Sequence, residues 1–124
     1  MDRAELQNRT KQFALRVMRL TAALPGTVQG RAVANQLMRS GTSVGANYRA
    51  ACRARSRKEF VAKMGVVIEE ADESAFWLEL VIDGNLHKSE LVQPLLAEAN
   101  ELLRIMSASR ATAVRRSRDA KPGA

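Results

Sequence analysis

The chain reads as an all-α protein, an antiparallel up-down-up-down four-helix bundle, on three observations. Apolar residues recur every three or four positions through most of its 124 residues. Breaker clusters interrupt that recurrence at few places, so the joints are short and consecutive helices are expected to double back. Proline and glycine are sparse between Val28 and Asp83, where Ala, Leu, Arg and Glu outnumber Val and Ile. That is helix-forming composition. A single domain is expected, with residues 1–110 forming the bundle and 111–124 a basic disordered tail.

In the first helix Phe13, Val17, Leu20 and Leu24 lie on one face. Leu24-Pro25-Gly26 ends it, because proline disfavours helix at the residue before it and glycine tolerates the turn. The second helix gathers Val33, Leu37, Val44, Tyr48 and Ala51 into a narrow arc when each residue turns by about 100°. On the same wheel Arg39, Arg49, Arg53 and Arg57 fall within about 80° of one another, away from the apolar arc. Gly41 and Gly45 sit inside this pattern, where they are expected to permit close helix approach rather than to cradle a phosphate. Cys52, on the same small-residue side, is expected as a packed structural thiol.

Ser56-Arg57-Lys58-Glu59 has the form of a capping box and starts the third helix after a very short turn. Its core face is expected to be Phe60, Met64, Val67, Ala71, Leu78 and Ile82, with Asp83-Gly84-Asn85 as the stop. A fourth helix is expected from about Ser89 to about Arg110, with Leu91, Leu95, Ala99, Leu102 and Met106 inward. Pro94 near its first turn predicts an irregular start.

Charge is sorted along the chain. From Val28 to Lys58 there are seven basic residues and no acidic one, whereas Glu59 to His87 carries a net −6. Clustered arginine on one element is the electrostatic footprint expected for a polyanion. The expected nucleic-acid-binding residues are Arg39, Arg49, Arg53, Arg55, Arg57 and Lys58, with Arg115, Arg116 and Arg118 added from the tail. Aromatic residues are few, and each is accounted for by core or interface, so recognition of RNA or DNA should be of backbone and shape. The competing reading is a solvated face, or arginines matched to the acidic third helix across a subunit boundary.

The third helix also carries Val66, Phe76, Trp77 and Leu80, which point away from its core face and interleave with Glu69 and Glu73. Such a surface predicts a cover, and a homo-oligomer is the expectation, against a fold-back of the fourth helix or the tail.

Ser43-Val44-Gly45-Ala46-Asn47-Tyr48-Arg49, followed by Ala51, Arg55, Ser56, Phe60, Lys63, Glu70, Glu73 and Trp77-Leu78, resembles the bacterial four-helix-bundle proteins of the 23S rRNA intervening-sequence family. The flanks, Leu24-Pro25 and Gln36-Leu37 with Arg39, fit as well, and the resemblance runs from about Glu5 to Met106. It implies a ring-shaped, pentameric homo-oligomer and non-catalytic binding of RNA or other nucleic acid. A related branch, the accessory protein of diversity-generating retroelements, works with a reverse transcriptase. That makes an accessory subunit of such an enzyme the alternative function. Ala50 stands where relatives commonly carry glutamate, so the structural polar residues Asn47, Lys63 and Glu70 should form an altered network here.

Catalysis and cofactors are not expected. His87 is the single histidine and falls in the loop before the fourth helix. Glu69, Glu70, Asp72 and Glu73 lack the Glu-x-x-His pairs by which helical bundles hold two metals, so no metal site is expected. The polar opening Met1-Asp2-Arg3, the lack of a spanning apolar run and the single cysteine together read as cytoplasmic, without a membrane partner.

Overall fold

The computed structural model describes residues 1–119, in which four helices follow one another: α1 (Arg3–Ala23), α2 (Val28–Cys52), α3 (Arg57–Asp83) and α4 (Ser89–Asp119). The first three start where a side chain takes up amides that the helix cannot satisfy. Asp2 accepts from the Glu5 amide at 2.8 Å, Thr27 from Gly30 at 3.0 Å and Ser56 from Glu59 at 3.0 Å. In the expected capping box the Glu59 carboxylate reaches one residue further back than usual, accepting from the Arg55 amide at 3.4 Å. At the end of α3 the left-handed position falls on Asn85 (φ 54°) rather than on Gly84, and the Leu86 amide donates to the Val81 carbonyl at 2.9 Å.

α1 packs on α2, α2 on α3 and α3 on α4, and α4 returns to α1 along a thinner seam. A fork of two 2.7 Å bonds from Arg9 to Glu98 closes that seam. Phe13, Leu37, Met64, Leu78, Leu102 and Met106 are fully buried at the centre. Ser74 on α3 bonds to Ser40 on α2 at 3.1 Å and to the Glu70 carbonyl at 2.8 Å, so these two buried hydroxyls satisfy each other.

Three expectations need correction. Leu91 is 61% exposed, and Val92 is the buried residue in its place. With Leu95, Ala99, Leu102 and Met106 inward, both Leu91 and Val92 fit helical spacing, and the packing of α4 on its neighbours turns Val92 to the core. Pro94 causes no irregular start, because its ring lies on the exposed side and it costs a single backbone bond. Finally, α4 does not end near Arg110 but continues to Asp119. Ala113 is buried in the continuation, and Arg110 Nε donates to the Val61 carbonyl at 3.1 Å. An Ala- and Arg-rich stretch with such anchors favours helix over coil. Residues 120–124 of the expected tail lie outside the described residues.

The contact between α1 and α2 is made by small residues. A methyl group on Gly41 would stand 2.8 Å from one Val17 methyl and 2.9 Å from the other, and one on Gly45 would stand 3.3 Å from the Thr10 hydroxyl. Val17 is fully buried and, being β-branched, has little rotamer freedom with which to yield. Gly41→Ala should therefore lower the free energy of unfolding by about 1–3 kcal/mol through overpacking. The gain in helix propensity, at most about 1 kcal/mol, offsets only part of this. Urea unfolding of the variant checks it, and an unchanged midpoint would mean that α1 shifts freely.

Candidate nucleic-acid interface

At one end of the bundle the first turn of α1, the joint between α2 and α3, and the last turns of α4 enclose a cleft of about 580 Å³. Four arginines line it: Arg3 from α1, Arg55 from the joint, Arg57 from the start of α3 and Arg116 from α4. Its lining contains no Asp or Glu, and none of the four arginines forms an ion pair among the described residues. The base of the cleft is apolar, with Leu6, Tyr48, Phe60 and Ile105. Arg3 is oriented by two contacts. Its guanidinium lies 5.7 Å from the Phe60 ring centre and donates to the Cys52 carbonyl at 3.3 Å. The first turn of α3 brings the positive end of a helix dipole to the same place, and the last turn of α2, with Ala51 and Cys52 in the lining, brings a negative one.

Burial pushes the Tyr48 phenol well above its ordinary range, and the neighbouring Cys52 thiol adds to the shift. The phenol stays neutral beside the arginines. Cys52 is half-buried against the core.

The arginines foreseen as a stripe on α2 are placed apart. Arg39 is engaged within the chain, with both Glu73 carboxylate oxygens at 3.0 Å and Glu70 at 4.0 Å. Arg49 opens onto a separate groove between α1 and α2, beside Lys11, Ala14 and Ala46. Arg53, Lys58, Arg115 and Arg118 are not buried and carry no ion pair among the described residues. Arg55 and Arg57 are joined instead by Arg3, which lies outside the expected set. A doubling back of α1 along α2 would have pointed to it.

On α3, Val66 is 41% exposed and Phe76 51% exposed, while Trp77 and Leu80 are not fully covered and Glu69 is exposed. The Phe76 and Trp77 rings meet edge to face at 5.1 Å. Two buried polar atoms here have no hydrogen-bond partner, Trp77 Nε1 and Glu70 Oε2. Among the described residues Asn47, Lys63 and Glu70 are not joined in one network: Asn47 donates to the Ser43 carbonyl of its own helix at 2.8 Å, and Lys63, with Ala50 in place of a carboxylate, bonds to neither. The register explains this. Arg39 meets Glu73 and Ser40 meets Ser74, which sets Lys63 opposite Ala50 and leaves Asn47 beyond reach of Glu70. His87 lies in the joint before α4, near Arg16 and Arg19. Among the described residues no group of three or more His, Cys, Asp or Glu is placed to hold a metal ion, and no helix is long and apolar enough to cross a membrane.

Burial raises the Glu70 pKa above its ordinary value of 4.5, and Glu73 repels it further, against the opposing pull of Arg39. A carboxyl raised on folding binds its proton more tightly in the native state, so its ionisation weakens the fold. Stability is therefore expected to fall as pH rises from the ordinary carboxylate range through the raised pKa. Glu70→Gln should flatten that fall, which thermal unfolding across acid to neutral pH would detect.

A family model described as 23S rRNA-intervening sequence protein matches residues 3–108. The fold is similar to the crystal structure of a protein with unknown function from the S23 ribosomal protein family of Bacteroides thetaiotaomicron VPI-5482. That similarity has a TM-score of 0.82 at 29% identity and covers 90% of this chain and 99% of the other. No curated protein matches the chain. Arg116 lies beyond the span that the family model matches.

Proposed function

The chain belongs to the 23S rRNA-intervening sequence protein family, and on its arginine-lined end we propose that it binds nucleic acid, RNA above all, without catalysis. The observation that carries this reading is the gathering of guanidiniums that the protein leaves without carboxylate partners. An up-down-up-down antiparallel bundle, which the helix registers fit, brings the starts of α1 and α3 beside the ends of α2 and α4. The basic residues of all four then face one polyanion.

Phosphate contacts by these side chains position a strand without reading its bases, and each releases counterions. The triple variant Arg53→Ala, Arg55→Ala, Arg57→Ala should weaken binding to a single-stranded RNA. It should also make the dependence of log K on log salt shallower by about 2, since each phosphate neutralised on a single strand contributes about 0.7 to that slope. Fluorescence anisotropy over a salt series reads both. Unchanged affinity and slope in a folded variant would sink the proposal.

The outward face of α3 favours a second property, self-association. Phe76 and Val66 present apolar surface, and the unpartnered Trp77 and Glu70 atoms call for an acceptor and a donor from outside the chain. A ring of copies, pentameric in the arrangement the family resemblance implies, would supply them through a head-to-tail contact. Phe76→Asp should then convert the oligomer to monomer in sedimentation equilibrium. A wild-type chain that is already monomeric would instead assign the face to another protein, as for an accessory subunit of a reverse transcriptase.

A further inference from the structure

We propose that the cleft of Arg3, Arg55, Arg57 and Arg116 is a site for the phosphate-bearing terminal nucleotide of a polynucleotide. This rests on the nucleic-acid reading above and goes beyond it by assigning one discrete site and one chemical group.

Three features separate this cleft from a generic basic surface. The first is charge. Four guanidiniums line one recess without a carboxylate among the lining residues, and of the neighbouring carboxylates Asp2 caps α1 and Glu59 faces the Arg55 amide, so neither pairs with a guanidinium. An internal phosphodiester brings a single negative charge and two free oxygens. A terminal phosphomonoester brings about −1.5 to −2 and three strong acceptor oxygens, a closer match for several forked donors.

The second feature is shape. Three separate parts of the chain line the recess, so its arginines converge on one place from different elements instead of lying in a row along one helix. The third is the apolar base. Phe60 and Ile105, which are only partly buried, can cover a sugar or base while the arginines hold the phosphate. Arg3 is already held over Phe60 by its bond to the Cys52 carbonyl, so part of the ordering cost is met before a ligand arrives. The outlying basic residues, Arg53, Lys58 and Arg115, are left for the strand that follows.

The test uses one short single-stranded RNA in three forms: 5′-phosphorylated, 3′-phosphorylated and hydroxyl at both ends. Wild-type protein should bind at least one phosphate-ended form about tenfold more tightly than the hydroxyl form, the value of one good charged hydrogen bond. The double variant Arg55→Ala, Arg116→Ala should bind all three forms alike, with the preference gone and the overall affinity lowered by the loss of two cations. Among the described residues neither side chain forms a hydrogen bond or ion pair, so little of the fold rests on them. Arg19→Ala, on the other end of α1, should keep the preference.

Equal binding of the three RNAs by wild-type protein would overturn the terminal-phosphate site and leave the broader reading intact. A preference that survives in the double variant would overturn the assignment to this cleft. No binding of any form at low salt would overturn both.

Discussion

The close contact of α1 with α2 is the constraint from which the candidate site follows. Gly41 and Gly45 remove the side chains that would hold the helices apart, and Val17 and Thr10 occupy the space. Contacts of this kind fix register as well as distance, because sliding either helix by a turn would drive a side chain into the partner backbone. The same register carries the start of α1 to the end of α2, where Arg3 meets the Cys52 carbonyl. Without that alignment Arg3 would not share a recess with Arg55 and Arg57. A packing decision in the interior thus sets the composition of a charged surface.

Charge sorting along the chain has a different outcome at the two ends of α2. Toward its middle, Arg39 faces the acidic part of α3 and pairs with Glu73. Beyond Ala51 the neighbouring part of α3 is Arg57-Lys58, and Glu59 is the single carboxylate nearby on that helix, turned to the Arg55 amide. The acidic residues of α3 begin again only at Glu69, about three turns further on. Basic residues at the joint are therefore left uncompensated by geometry, whatever the net charge of the protein.

Much of the fold was legible because local signals agreed with one another. Leu24-Pro25, Ser56 with Glu59, and the stop after Asp83 mark helix ends by mechanisms that act over three or four residues. What failed needed information from across the bundle. Leu91 and Val92 both satisfy helical spacing, and only the placement of α4 on α3 chooses between them. The helix past Arg110 is held by Ala113 and by the bond from Arg110 to Val61, neither of which leaves an apolar repeat to read. For the site, the arginine residues on α2 were visible as a stripe. Their division into an engaged Arg39, a separate Arg49 and a cleft group was not, since it depends on which helix lies opposite. The separation of Asn47, Lys63 and Glu70 was hidden for the same reason, because residue type alone does not carry the register between α2 and α3.

The two surfaces proposed to make contacts do not compete for the same residues. Phe60 lies at the cleft and Phe76 on the outward face, sixteen residues later on the same helix, hence about 24 Å apart along its axis. A subunit seated on Phe76 and Trp77 would find carboxylates around it, Glu69, Asp72 and Glu73, rather than the arginines of the cleft. Its own contribution would have to include donors, because the orphaned acceptor there is Glu70 Oε2. Lys11 and Arg49, on the groove between α1 and α2, are basic residues left over once Arg39 and the cleft group are assigned. Pairing that groove with the acidic face of the next copy would be head-to-tail, the geometry that closes rings. Such a ring would satisfy the acidic half of each subunit internally and keep every arginine cleft on the same rim, where several could engage one nucleic acid at high effective concentration.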